Sequence, residues 1–160
     1  MLFRSGTEAM HLLRAEKGFV IVGQDTDGTV APADLRMPGM VKTNADFIGR
    51  RSLTRADTAR GDRKQLVGLL TVDPNHVLME GAHVISSSTE PRERPVPMLG
   101  YVTSSYYSPN AGRSIALALV KGGGERMGHT LYVSRKDGMP VEVRVTETDW
   151  LKAAVKGAAP

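Results

Sequence analysis

A chain of 160 residues with 41% hydrophobic content supplies one substantial core, or one small domain plus a piece of another. No apolar run approaches the roughly 20 residues that cross a bilayer, and the opening "MLFRSGTEAM" lacks the long apolar core of a secretory signal, so a cytoplasmic protein without a membrane partner is expected. Cysteine is absent, the four histidines His11, His76, His83 and His129 show no close ligand spacing, and a net charge of +4 comes with only three Phe, four Tyr and one Trp; disulfides, thiolate chemistry, a metal site and a nucleic-acid stacking platform are therefore all disfavoured.

Taken in chain order, the first element is a short helix over Glu8 to Glu16 capped by Thr7, with Ala9, Met10, Leu12 and Leu13 at roughly helical spacing and Gly18 placed to end it. A buried strand, Phe19 to Val22, is expected next, followed by the polar loop "GQDTDGT". Glu16 lies at the junction of helix and strand, where a carboxylate disfavours the helix dipole. On its own, it reads either as a solvated helix end or as a group aimed at a ligand beside the strand.

Pro32 and Pro38 keep the following stretch irregular, and Asp46 precedes "FIGRRSL" as a candidate N-cap of a second short helix. The polar segment "TRADTARGDRK" reads as a basic linker. Its cations, with those of Arg50 and Arg51, alternate with Asp57 and Asp62, which suits a solvated segment, a multi-anionic small ligand or an acidic partner better than nucleic acid.

Beyond Gln65 the style changes. Six short apolar runs, "LVGLLTV", "AHVISSS", "MLGYVTSSYYS", "SIALALV", "TLYVSR" and "PVEVRVT", are separated by turn signals such as "DPNH", "EPRERP" and "PNAGR". That pattern predicts a compact antiparallel barrel, with Lys136-Asp137-Gly138 as a hairpin turn. Gly122-Gly123-Gly124 lies between two strand-like runs and reads as a turn, not a phosphate cradle. Tyr106 and Tyr107 either stack on a ligand or close the barrel rim, and Trp150 is a candidate anchor for the tail. The expected fold class is α+β, an α/β piece followed by a six-stranded antiparallel β-barrel. The expected divisions are 1–53, a basic linker at 54–64, the barrel at 65–146 and a tail at 147–160.

The blocks "LRAEKGFVIVGQDTDGTVAPADL", "DFIGRRSL", "RKQLVGLL", "GYVTSSYYSPNAGRSIALALV" and "MGHTLYV", in this order, are similar to the C-terminal end of the alpha subunit of heterotetrameric sarcosine oxidase. More loosely they resemble the aminomethyltransferase family, which includes the glycine cleavage T-protein and dimethylglycine dehydrogenase. The resemblance makes the α/β piece an incomplete folate-binding one and implies a tetrahydrofolate site of which this chain holds only part. FAD, FMN and NAD would be bound elsewhere in the complex, since no G-x-G-x-x-G opens a helix here.

In that family a glutamate matching Glu16 holds the two parallel donors of the pterin. A basic residue downstream meets the anionic folate tail, and Lys42 is the nearest candidate here, although Met37-Pro38-Gly39-Met40 replaces the family's more basic stretch and its tryptophan. Tyr106 is the third candidate folate contact, and no catalytic residue is assigned within the chain. The implied partners are folate, the upstream part of the alpha subunit and the other subunits. The implied reaction of the full complex oxidises sarcosine, reduces oxygen to hydrogen peroxide and passes the one-carbon unit to tetrahydrofolate, giving 5,10-methylenetetrahydrofolate. Two enzyme alternatives remain: a stand-alone aminomethyltransferase or demethylase, and a folate-binding RNA-modification class marked by K-G-C-Y-x-G-Q, whose cysteine is Phe19 here. A non-catalytic docking barrel is the alternative from another class.

Overall fold

The computed structural model describes residues 6–42, 44–89, 95–136 and 138–150. Among the described residues a single α-helix, α1 (Thr7–Glu16), precedes six strands: β1 (Lys64–Thr71), β2 (His83–Ile85), β3 (Gly100–Ser108), β4 (Arg113–Lys121), β5 (Thr130–Val133) and β6 (Val141–Thr146). All pairings are antiparallel, and the order β1-β4-β3-β2-β5-β6 closes on itself because β6 pairs back onto β1. Each predicted apolar run contains one strand. Of the hairpin turn expected at Lys136-Asp137-Gly138, Asp137 lies outside the described residues, as do Glu90–Arg94 of the "EPRERP" turn and all of the tail beyond Trp150.

Strand composition explains which faces are covered. In β6, Val143 and Val145 point into the barrel while Glu142 and Arg144 face solvent, the alternation of a sheet wetted on one side. β4 is apolar from Ile115 to Val120, where both of its faces are buried. Ala116, Ala118 and Val120 fill the interior, and Ile115, Leu117 and Leu119 form a second, outer core with Leu66, Ala15 of α1 and Trp150. The helix therefore has a reason to lie on this side of the barrel.

Several local expectations are corrected. The N-cap of α1 is Gly6 and Thr7 is the first helical residue, with no side-chain cap bond. Phe19 to Val22 forms no strand; its one ladder contact is an isolated bridge between Val22 and Thr26, and Phe19 and Val22 are 62% and 86% exposed. An apolar tetrapeptide becomes a strand only where a neighbouring edge takes up its backbone groups, and no strand of this barrel offers one. Asp46 caps nothing: the helical turn in this region is a 3-10 segment, Arg50–Thr54, entered through Gly49 in the left-handed conformation (φ 96°). The segment preceding β1 is tied down by Arg63, which pairs with Asp34 and Asp57 and donates to the Thr29 carbonyl. No helix among the described residues is long and apolar enough to cross a membrane.

Candidate functional site

Along the outer face of β3, Ser104, Tyr106 and Ser108 recur at every second residue, so their side chains line one stripe. The last turn of α1 lies on this stripe. Arg14 donates to Ser104 Oγ at 2.7 Å and to the Tyr106 hydroxyl at 3.3 Å, and its guanidinium sits 5.7 Å from the Tyr106 ring centroid. One turn end further, Glu16 meets Ser108.

Glu16 is 1% exposed, and donors from the end of β3 and the turn after it hold its carboxylate. Ser108 Oγ donates to Oε1 at 2.5 Å, and the Asn110 amide donates to Oε1 at 3.2 Å and Oε2 at 2.9 Å. Ser108 is fully buried and accepts the Ala111 N–H at 3.0 Å, so its hydroxyl is oriented. Asn110 is an exposed turn residue whose amide covers the carboxylate from the solvent side. The helix ends immediately afterwards in a Schellman arrangement. Gly18, at φ 71°, gives its N–H to the Ala15 carbonyl, and Phe19 gives its N–H to Arg14.

A second carboxylate is more deeply held. Asp25, read from sequence as an ordinary turn residue, is completely buried and forms an ion pair with Arg14. Oδ2 also accepts the Ile21 N–H at 2.9 Å, while Oδ1 accepts the hydroxyls of Thr103 and Ser104. Two consecutive β3 residues reach one oxygen because the register slips between Val102 and Ser104, leaving Thr103 as a bulge. In a regular strand their side chains would point to opposite faces. Gln24 adds contacts to the Thr103 carbonyl, Ser104 and Glu80. This network fixes the loop after α1 and, through Arg14, the helix itself.

The three residues singled out from sequence are thus distributed unequally. Glu16 and Tyr106 share the α1–β3 junction, with Arg14 and Ser108 between them. Lys42 is exposed in the irregular segment after the 3-10 turn Pro38–Met40, and no contact joins it to Glu16 or Tyr106 among the described residues. Tyr107 is 43% exposed and, with Tyr106, Glu8, His11 and Leu12, lines a shallow groove of about 290 Å³ beside α1. Tyr106 therefore faces both the Arg14 cation and this groove.

The Thr29 hydroxyl, aided by the Thr29 N–H, holds the Asp27 carboxyl below its ordinary range in the exposed turn. Burial raises the Tyr101 phenol, reinforced by the negative charge of Asp27, while Lys64 stands 4.9 Å from its ring.

Residues 64–152 match the family model described as the glycine cleavage T-protein C-terminal barrel domain. Among curated proteins, the sarcosine oxidase subunit alpha of Corynebacterium sp. (strain U-96) is 49% identical over 142 residues, 89% of this chain and 15% of that relative. The sarcosine oxidase subunit alpha of Rhizobium meliloti (strain 1021) is 40% identical over 129 residues, 80% of this chain and 13% of that relative. An aminomethyltransferase of Thermotoga maritima is 30% identical over 152 residues, 95% of this chain and 38% of that relative. The crystal structure of glycine cleavage system aminomethyltransferase T from Bartonella henselae shares the fold with a TM-score of 0.72 at 20% identity, covering 89% of this chain and 38% of that one. The chain therefore spans only a small part of the length of the relatives it matches.

Proposed function

Because the chain belongs to the family of the glycine cleavage T-protein C-terminal barrel domain, we propose that it is the C-terminal segment of a sarcosine oxidase alpha subunit and presents Glu16 to tetrahydrofolate. The observation that carries this reading is the Glu16 carboxylate, held at the end of α1 by Ser108 and Asn110. A carboxylate has about four lone-pair sites. Ser108 fixes one oxygen from inside the fold, and the Asn110 amide spans both oxygens from the exposed turn.

Two parallel pterin donors need the same pair of oxygens. Asn110 is placed to be exchanged for them, because it is a solvent-facing turn residue, while Ser108 stays to keep the carboxylate oriented. A charge-assisted, two-point contact of this kind is among the stronger polar recognitions. Tetrahydrofolate supplies the nitrogens that accept the one-carbon unit, giving 5,10-methylenetetrahydrofolate, and the chain's own part is to bind and orient it. Tyr106 lines the same junction, and Lys42 is the proposed contact for the anionic tail, reached in the complete protein.

Oxidation of sarcosine with formation of hydrogen peroxide, and the FAD, FMN and NAD it requires, belong in this reading to the remaining parts of the alpha subunit and to the other subunits. The cytoplasm is the proposed location. A second reading, a docking barrel without a ligand, draws on the exposed apolar residues Met10, Leu13, Phe19 and Val22 around α1, at 57%, 51%, 62% and 86% exposure.

Product partition separates the two. In the longer protein that contains this chain, turnover of sarcosine with tetrahydrofolate present should yield methylenetetrahydrofolate. With Glu16→Gln, sarcosine consumption should continue while free formaldehyde replaces the folate product. An unchanged folate product in that variant would remove Glu16 from the site and favour the docking reading.

A further inference from the structure

Glu16 is held at its carboxylate by the turn after β3, but its backbone is held from the far end of the chain. Trp150 is buried at 4% exposure, and its Nε1–H donates to the Ala15 carbonyl at 2.9 Å. That carbonyl also closes the helix by accepting the Gly18 N–H. A buried indole N–H needs such a partner, and here the partner is the peptide immediately before Glu16. The indole ring occupies space left by Gly68 of β1: a Cβ there would stand 2.1 Å from the ring. Two residues earlier, Thr148 fills the space above Gly18, where a Cβ would fall 2.6 Å from its Oγ1. Glu147 makes a double contact with Arg36 at 2.7 and 3.1 Å, although this pair is exposed enough to contribute little.

We propose that residues 147–150 act as a strap that sets the position of the C-terminal turn of α1, making Trp150 a positioning residue for the Glu16 carboxylate. The proposal rests on the reading of Glu16 given above. The close approach at Gly18 and the buried hydrogen bond to Ala15 converge on the same turn of helix, from a segment 130 or more residues away in sequence, while the close approach at Gly68 seats the indole on β1. Recognition by a two-point contact demands placement to within about 0.5 Å. Ser108 and Asn110 hold the carboxylate and the Asp25 network holds Arg14, while the Trp150 hydrogen bond adds the hold on the peptide that bears Glu16. With the strap seated, Glu16 is fixed at the backbone and at the carboxylate, and a ligand meets a preorganised acceptor.

The test uses the longer protein with Trp150→Phe, which keeps an aromatic ring against Gly68 and removes the N–H. Hydrogen exchange of α1 amides should accelerate about tenfold, the equivalent of one lost buried hydrogen bond, while exchange in β3 and β4 stays as in the parent. Tetrahydrofolate affinity should fall by a similar factor of about ten. Because Trp150 acts through Glu16, adding Trp150→Phe to Glu16→Gln should weaken binding no further than about twofold. Unchanged α1 exchange in Trp150→Phe would overturn the proposal, and so would a full tenfold additive loss in the double variant. If Glu16→Gln alone binds tetrahydrofolate like the parent, the folate reading fails, and the α1 exchange rates then decide the strap by themselves.

Discussion

Replacement of Asp25 by alanine probes the network that orients α1. Asp25 is completely buried and accepts from Arg14, Ile21, Thr103 and Ser104. Removing one member of a buried ion pair typically costs about 3–5 kcal/mol, because the other charge is left uncompensated. Here the low end applies. Arg14 retains Ser104, Tyr106 and the Phe19 carbonyl, and Thr103 retains the Leu117 carbonyl, so the groups that lose their acceptor are the Ile21 N–H and the Ser104 hydroxyl. An effect of about 3 kcal/mol is expected, and Asp25→Asn, which keeps one acceptor oxygen, should cost about half of it. Urea unfolding followed by Trp150 fluorescence provides the readout, since Trp150 is the chain's single tryptophan and is buried against α1. A loss below about 1 kcal/mol in Asp25→Ala would refute the role given to this carboxylate.

Gly18→Ala should loosen the helix end by about 1–3 kcal/mol, since φ is 71° and the new methyl meets Thr148; amide exchange at Gly18 and Phe19 checks it. Thr29→Val should move the Asp27 carboxyl back up toward its ordinary value, because the Thr29 hydroxyl is the main cause of its lowering, as a carbon-detected titration would record. The sign follows: Asp27 stabilises the folded chain above the unfolded carboxylate range, and that contribution is lost as pH falls through the lowered folded value. Leu13→Glu together with Phe19→Ser should reduce self-association of the isolated chain by removing exposed apolar surface, and sedimentation velocity would show it.

The barrel was legible because its strands carry their own boundaries. "SIALALV" reads as apolar throughout, and β4 is buried on both faces; "VEVRV" alternates, and β6 is wetted on one. Gly18 was legible as a helix stop, since its left-handed φ is a property a glycine announces locally. The strand expected at Phe19 to Val22 failed because strand formation depends on a partner edge that an apolar run does not reveal. Asp25 was missed for a related reason. In "GQDTDG" it has the local character of a turn residue, and its importance comes from the Thr103 bulge, 78 residues away. The three consecutive hydroxyls of "VTSS" broke the period of two and were the one available signal. Asn110 carried no signal at all, since only the closed barrel brings the turn after β3 onto the end of α1.

The central claim is that Glu16 contributes a direct contact to tetrahydrofolate, and the equilibrium affinity of the longer protein for that ligand tests it most directly. Calorimetric titration of the parent and of Glu16→Ala should show a loss of about 2–4 kcal/mol, roughly 30- to 1,000-fold in the dissociation constant, because a charged acceptor is withdrawn from two buried donors. Equal affinity in parent and variant, with α1 still docked by Trp150 fluorescence, would contradict the claim and leave Glu16 as a strut between helix and barrel.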